Sequence, residues 1–354
     1  MISIREYHDG DLRGIAALQR YVDAEMSVAP AEFEDLWTWM YAKNPFGPLR
    51  AVVAQDEAGN IVGHEGIMPF RLCVDGRAVT GGITGNLIVK EELRGSLLFP
   101  RLVSALVKGL GSAGFDIGYG PVRPKMYASM LALGYRDMGP LPVYVRPYDL
   151  AKIAALYLRP PIARTLLTPF LNAAQGMGNV VFRARAKVPV LRVDRFGDEH
   201  RVFLERTTKQ FPIHAERTPE SLNWRYFAAP NRRYEVYEAI RADGERGYVA
   251  LRRMPMLGFD ALAIVDILFP LVHPEIGRAL LAQVHRQALE SGVTVVACML
   301  NEGNPVIPML QGAGFLRAPE GFKMIVYEPK SCEPIFRPGM LKRWYVTWFD
   351  HDYV

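Results

Sequence analysis
The chain has little cysteine: Cys73, Cys298 and Cys332 are the only three in 354 residues, which excludes a disulfide-stapled scaffold. Such sparing, scattered use suits a reducing compartment, and a cytoplasmic protein is expected. No apolar run reaches the ~18 residues that a membrane span requires. The stretch Met1-Ile2-Ser3-Ile4-Arg5-Glu6 alternates apolar and polar residues, so no charged-then-apolar leader is read there. A dominant charge is lacking too. Lys and Arg number 42 against 37 Asp and Glu, a net charge of +5, and the densest basic clusters are pairs such as Arg232-Arg233 and Arg252-Arg253. A nucleic-acid footprint has a longer basic stretch or interleaved aromatics, so no nucleic-acid partner is expected. The mild excess is compatible with a small anionic ligand. Walker and dinucleotide fingerprints are missing, as is the Gly-x-Ser-x-Gly elbow of a serine hydrolase. Beside Asp350-His351-Asp352 there is no second cluster at ligand spacing, so no metal is expected. What is present is apolar mass. Half of the residues are hydrophobic, which excludes a disordered chain, and at ~150 residues per domain the length suggests two domains.

Those two domains read as copies. Trp39-Met40-Tyr41-Ala42-Lys43-Asn44-Pro45 recurs as Trp224-Arg225-Tyr226-Phe227-Ala228-Ala229-Pro230, an offset of 185 (224 − 39). Each copy then runs into a β-rich stretch, a glycine-bearing turn, and a strand carrying Gly63 or Gly247. Near the end of each half, Leu133-Gly134-Tyr135 answers Ala313-Gly314-Phe315, an offset of 180 (314 − 134). In the first copy the patterns predict a strand over 2–7, a helix over 9–26, and strands over 49–55, 61–72 and 78–90, with Asp75-Gly76 as a hairpin turn. An amphipathic helix follows, with Leu98, Leu102, Leu106 and Leu110 on one face. Then come a strand over 115–119, a short helix over 125–133 closed by Gly134 in a left-handed cap, and a strand over 141–145. The second copy predicts strands over 234–240, 246–253 and 260–269, and a helix presenting Ile276, Leu280, Val284 and Ala288. A strand over 293–299, a short helix and a strand over 324–327 complete it. The expected division is 1–147, a helical linker over 148–189, a second unit over 190–330, and a tail over 331–354 whose Trp344, Tyr345, Trp348 and Phe349 pack back on the body.

The strand Ile83-Thr84-Gly85-Asn86-Leu87-Ile88-Val89, the following Lys90-Glu91-Glu92-Leu93-Arg94-Gly95-Ser96, the amphipathic helix and the short helix into Leu133-Gly134-Tyr135 together resemble the GNAT acetyltransferase superfamily. The resemblance covers roughly 2–147 and 200–328 and implies an α/β fold of two tandem GNAT-like units, each a mixed, mainly antiparallel sheet flanked by helices. It also implies acetyl-CoA, or another acyl-CoA, as co-substrate. Backbone N–H groups of the loop and helix N-terminus would hold its pyrophosphate, and the strand before them would meet its pantetheine amides. Residues Leu87, Ile88, Val89, Arg94, Gly95 and Ser96 fall at these positions. The family pattern places small residues where Leu97 and Phe99 stand; the second copy has Gly277 and Ala279 there, but Pro274 in place of the basic or amide residue. The first copy is therefore the expected acyl-CoA site, and the second a degenerate copy.

Direct attack of an amine on the thioester needs a base and an acid. The tyrosine that the resemblance would place four residues before the helix-ending glycine is Met130 in one copy and Leu310 in the other. Tyr127, one turn earlier, is the candidate acid or a packing ring. His64 and Glu65 are candidate bases beside Gly63, and strand alternation allows only one of them to face a cleft. Asp266, a carboxylate in the apolar run Ile264-Val265-Asp266-Ile267-Leu268, either orients a cationic acceptor or belongs to a buried ion pair. The expected function is acetyl transfer to a small-molecule amine or amino sugar. The alternatives are an aminoacyl-tRNA-dependent transferase and a non-catalytic binding or scaffold protein of the same fold.

Overall fold
The structure, a computed structural model, describes residues 2–22, 28–157, 188–256, 258–330 and 334–351. The first half forms β1 (Ser3–Glu6), α1 (Leu12–Ala17), α2 (Pro30–Trp37), β2 (Arg50–Gln55), β3 (Ile61–Val74), β4 (Arg77–Val89), α3 (Leu98–Lys108), β5 (Ile117–Val122), α4 (Pro124–Ala132), β6 (Arg136–Leu141) and β7 (Val143–Pro147). After α5 (Leu150–Tyr157), the remainder of the expected linker up to residue 187 lies outside the described residues. The second half forms β8 (Val190–Val193), α6 (Arg201–Thr208), β9 (Ile213–Ala215), α7 (Pro219–Tyr226), β10 (Glu235–Ile240), β11 (Arg246–Met256) and β12 (Phe259–Leu268). It continues through α8 (Pro274–Ser291), β13 (Val295–Met299), α9 (Ile307–Gly312), β14 (Leu316–Arg317), β15 (Phe322–Tyr327) and the tail strand β16 (Trp344–Tyr345).

Local signals account for several of these elements. Asp75 and Gly76 both take positive φ, 51° and 81°, the turn that matches a hairpin's twist, and Val74 pairs with Arg77 across it. Gly134 and Gly314 end α4 and α9 with φ of 94° and 82°. In each, the two residues after the cap bond back in the same way: Gly134 N–H to Leu131 O and Tyr135 N–H to Met130 O, Gly314 N–H to Gln311 O and Phe315 N–H to Leu310 O. The expected helix over 9–26 is instead a 3₁₀ turn over Asp9–Asp11, the short α1, and a second 3₁₀ turn over Leu18–Tyr21. Val22 is extended (φ −86°, ψ 147°) and breaks the helical path. Gly14 lets α1 lie against β3, since a Cβ there would come within 2.7 Å of Ile61.

Among the described residues two sheets result, of nine and seven strands. The first runs β1-β2-β3-β4-β5-β15-β6, with β9 on the far part of β3 and β16 on β9; the second runs β14-β7-β13-β12-β11-β10-β8. The halves exchange strands. β15, from the second half, inserts between β5 and β6, and β7, from the first, inserts between β13 and β14. A cut at residue 147 thus assigns one strand of the second sheet to the first unit. At the centre, Trp39 and Trp224, the same position of the repeated motif, stack on each other at 4.5 Å with an interplanar angle of 18°. Equivalent residues touch each other only where the axis relating the two copies passes between them. One apolar cluster fills the space between the copies and includes Trp344, Tyr345, Trp348 and Phe349 of the tail. A second lies under α8, and a third under α3 and α4 on the outer face of the first sheet.

Candidate active site
Strands β4 and β5 are hydrogen-bonded neighbours only at Gly81–Ile117, Gly82–Gly118 and Ile83–Tyr119. Beyond that point they part, β4 running to Val89 and β5, held on its other side by β15, to Val122. The resulting opening is a slot of about 740 Å³. Its walls come from both sides of the sheet. Leu87, Phe99, Val122, Met126, Met130 and Ile325 belong to the α3/α4 face. Val143, Met256, Phe322 and Trp348 belong to the face against the second unit. The slot therefore passes through the sheet.

A β-bulge sits at its edge. His64 pairs with Ile88 and Gly66 with Gly85, so Asn86 and Leu87 together oppose the single residue Glu65, and Asn86 takes φ 54°. The side chain of Asn86 donates to the Tyr41 hydroxyl at 2.9 Å. His64 holds the bulge from below. The Trp37 indole N–H donates to its Nε2 at 3.1 Å, and its Nδ1 meets the Asn86 carbonyl at 3.0 Å. An indole nitrogen only donates and a carbonyl only accepts, so His64 is the neutral Nδ1–H tautomer. Burial lowers its pKa to about 4. With both nitrogens engaged on the interior face, His64 positions the bulge and is not placed to take a proton from a ligand, which corrects the expectation that it might serve as base.

Glu65 points the other way and lines the slot. It is 2% exposed, and its Oε2 has no hydrogen-bond partner among the described residues. Burial alone pushes its pKa up to about 8. Tyr135, delivered by the α4 cap, lies near Glu65 in the core under α3 and α4 and is not among the residues lining the slot. Its hydroxyl is buried without a well-formed hydrogen bond. Burial first, and the nearby Glu65 carboxyl second, raise its pKa, with Thr84 acting against them. Tyr127, the expected acid, is elsewhere. It interacts with Asp137, which raises its pKa, and lies under the ammonium of Lys323 at 5.6 Å, while Met126 and Met130 of the same helix face the slot. The helical offset that puts Met130 inward turns Tyr127 toward β6 and β15.

Among the expected cofactor contacts, Leu87 faces the slot, whereas Ile88 is buried on the opposite face and Val89 packs toward α3. Gly95 has φ 83° and open space where a Cβ would be. Ser96 Oγ donates to the Leu93 carbonyl at 2.7 Å and accepts from Leu98 N–H at 3.2 Å, fastening the start of α3. Arg94 donates to the carbonyls of Tyr21 and Val89. Leu97, bulky where the family pattern has a small residue, is 75% exposed and turned away, so it leaves the loop backbone approachable; Phe99 faces the slot.

The second unit has the same parting of strands, and it is full. β12 and β13 pair from Ala261–Val295 to Ile264–Cys298 and then separate. Into the gap project Asp266 and the tail. The Asp266 carboxylate receives Arg217 Nε at 2.7 Å, the Tyr248 hydroxyl at 2.6 Å, Thr347 Oγ1 at 3.0 Å and the Tyr345 hydroxyl at 3.2 Å. The Tyr345 hydroxyl also meets the Ile267 carbonyl. Arg217 stacks on Tyr345 and Phe349, with Asp350 at 3.7 Å. Burial works against the Arg217 charge, but Asp266 and Asp350 outweigh it and raise its pKa. Asp266 is thus one partner of a sealed ion pair and does not face the slot or orient an acceptor, because Arg217, 49 residues away, occupies its charge. Gly277 serves packing: a Cβ there would lie 2.5 Å from Phe269 and 2.7 Å from Met309.

No family model matches the sequence, and no curated protein does. Solved structures do. Saccharomyces cerevisiae N-myristoyltransferase with bound myristoyl-CoA is similar at a TM-score of 0.63 and 12% identity, covering 97% of this chain and 83% of that one. A probable N-acyltransferase from Enterococcus faecalis V583 is similar at 0.60 and 13% identity, covering 92% and 72%. A GCN5-related N-acetyltransferase from Kribbella flavida is similar at 0.58 and 15% identity, covering 92% and 70%.

Proposed function
We propose that this chain is an acyl-CoA-dependent N-acyltransferase, transferring acetyl from acetyl-CoA to the amine of a small molecule in the slot of the first unit. Its fold, two tandem GNAT-like units with mixed, mainly antiparallel sheets, is the one expected from the sequence and shared with these acyltransferases. The observation that carries this reading is the buried carboxyl of Glu65, whose Oε2 has no hydrogen-bond partner among the described residues, in a strand opening that stays open in the first unit and is filled by the protein's own side chains in the second.

The chain's residues fit such a co-substrate. Leu87 and Gly85 on one strand and Gly120 and Pro121 on the other flank a chain threaded through the opening. The loop at Gly95 faces outward at the start of α3, where the helix dipole favours an anion. Arg94 would exchange the carbonyl of Tyr21 for a phosphate. The bound acyl-CoA supplies an activated acyl carbon. Glu65, with a pKa of about 8, takes the proton that the attacking ammonium must lose as its nitrogen bonds to that carbon. The proton that Glu65 has taken is then passed to the departing thiolate, which leaves as the free thiol and returns Glu65 to its carboxylate. Calorimetric titration with acetyl-CoA, followed by thiol release with a panel of amines, tests the proposal. Binding at one site per chain, weakened in Arg94→Ala, is expected; no binding at millimolar acetyl-CoA overturns it.

A further inference from the structure
The side of the slot that faces the second unit has a distinctive lining. Phe322, from the exchanged strand β15, and Trp348 and His351, from the tail, present three ring planes at nearly right angles. Their centroids lie 5.4 Å apart at 88° (Phe322 and Trp348), 5.7 Å at 72° (Phe322 and His351) and 5.5 Å at 77° (Trp348 and His351). All three line the slot, together with Met256 from the β11–β12 hairpin. Trp348 is 2% exposed, and its indole N–H is buried without a hydrogen-bond partner among the described residues.

We infer that the acceptor is a primary amine carried on an apolar, aryl-type body, seated against this corner with its nitrogen directed along the slot. The inference rests on the acyltransferase reading and names the substrate class. Three observations support it. Ring planes set at right angles offer both face and edge contacts, the arrangement that aromatic bodies prefer. The carboxylate of Glu320 at the same end of the slot attracts an ammonium on its way in. A polyhydroxylated amino sugar is poorly served. Each hydroxyl brought against these rings needs a partner or costs about 1–3 kcal/mol, and Phe322, Trp348 and Met256 offer it apolar faces, while the polar side chains of the slot are Glu65, Thr84, Arg123, Lys125, Glu320 and His351. The inference thus favours an aryl amine over the amino sugar, the other acceptor expected from the sequence.

The experiment is a calorimetric titration of the whole chain, without any acyl donor, with 2-phenylethylamine and with glucosamine. Phenylethylamine is expected to bind and glucosamine to give at least tenfold weaker binding. Phe322→Ala, at a half-buried position packed against the edge of the core between the units, is expected to weaken phenylethylamine at least tenfold while leaving acetyl-CoA binding unchanged, and Phe322→Leu, which keeps an apolar filler and removes the ring, is expected to do the same. Equal or tighter binding of glucosamine, no binding of either amine, or a Phe322→Ala variant that binds phenylethylamine like the parent overturns the inference. Acetyl-CoA titrated separately decides the donor: loss of donor binding with retained amine binding removes the acyltransferase reading alone.

Discussion
The two strand openings of this protein are the same topological event with opposite outcomes. In each sheet the fourth and fifth strands of a GNAT-like unit pair for a few residues and then part. In the first, the gap stays open and holds the buried carboxyl of Glu65, whose Oε2 has no partner among the described residues. In the second, a tyrosine and a threonine of the tail, an arginine and an aspartate close it, and the Tyr345 hydroxyl bonds the Ile267 carbonyl on the parted edge. Parting two strands leaves backbone and side-chain polar groups that must be satisfied by something. The protein satisfies one set from its own chain; on the proposed reading, the other is left for the acyl donor and its acceptor.

The largest test of this contrast is Glu65→Gln. Removing the base is expected to lower kcat about 10²- to 10³-fold, within the range of general-base catalysis, with acetyl-CoA affinity unchanged. The same variant is expected to be more stable than the parent at alkaline pH. A carboxyl whose folded pKa is raised from 4.5 to about 8 binds its proton more tightly when folded. The parent therefore loses stability as pH rises from about 4.5 to 8, roughly 5 kcal/mol in full at ~1.36 kcal/mol per unit. Urea unfolding at pH 5 and pH 8.5 checks it: a parent with flat stability over that range would mean that Glu65 is already ionised.

Next in size is Arg217→Met in the closed opening. It leaves Asp266 and Asp350 buried without their cation, and removing one partner of such a pair typically costs about 3–5 kcal/mol. Unfolding midpoints measure this, and a loss below about 1 kcal/mol would show that the second opening is not held by charge. Smallest is Tyr345→Phe, which deletes one hydroxyl and is expected to cost about 1–2 kcal/mol. Acetyl-CoA stoichiometry is expected to stay at one per chain in this variant. A second equivalent would show that the closed opening can also bind the donor, and the distinction between the units would dissolve.

Much of the architecture was legible in local sequence. The repeated Trp-x-Tyr motif, the Asp75-Gly76 turn and the glycines of Leu133-Gly134-Tyr135 and Ala313-Gly314-Phe315 are signals whose physics is confined to a few residues, and the structure places each as expected. The exchange of β7 and β15 was not legible, because alternation marks a segment as a strand without naming the edge it joins. Alternation likewise said that His64 and Glu65 face opposite sides, but not which side holds the slot. That depended on Trp37 and Asn86 taking both nitrogens of His64. Asp266 looked out of place in its apolar run, and the two readings left open could be separated only by finding Arg217 and Tyr345 beside it, one from the turn before α7 and the other from the tail.

The sequence by itself determined that there are two related α/β units, where their helices are capped, and that charged residues stand in apolar strands. Tertiary structure alone decided which of those charges has a partner. Periodicity and turn chemistry act over a few residues, whereas the state of a buried carboxyl depends on whichever distant group fills the space beside it. For Asp266 that space holds an arginine; for Glu65 it opens into the slot.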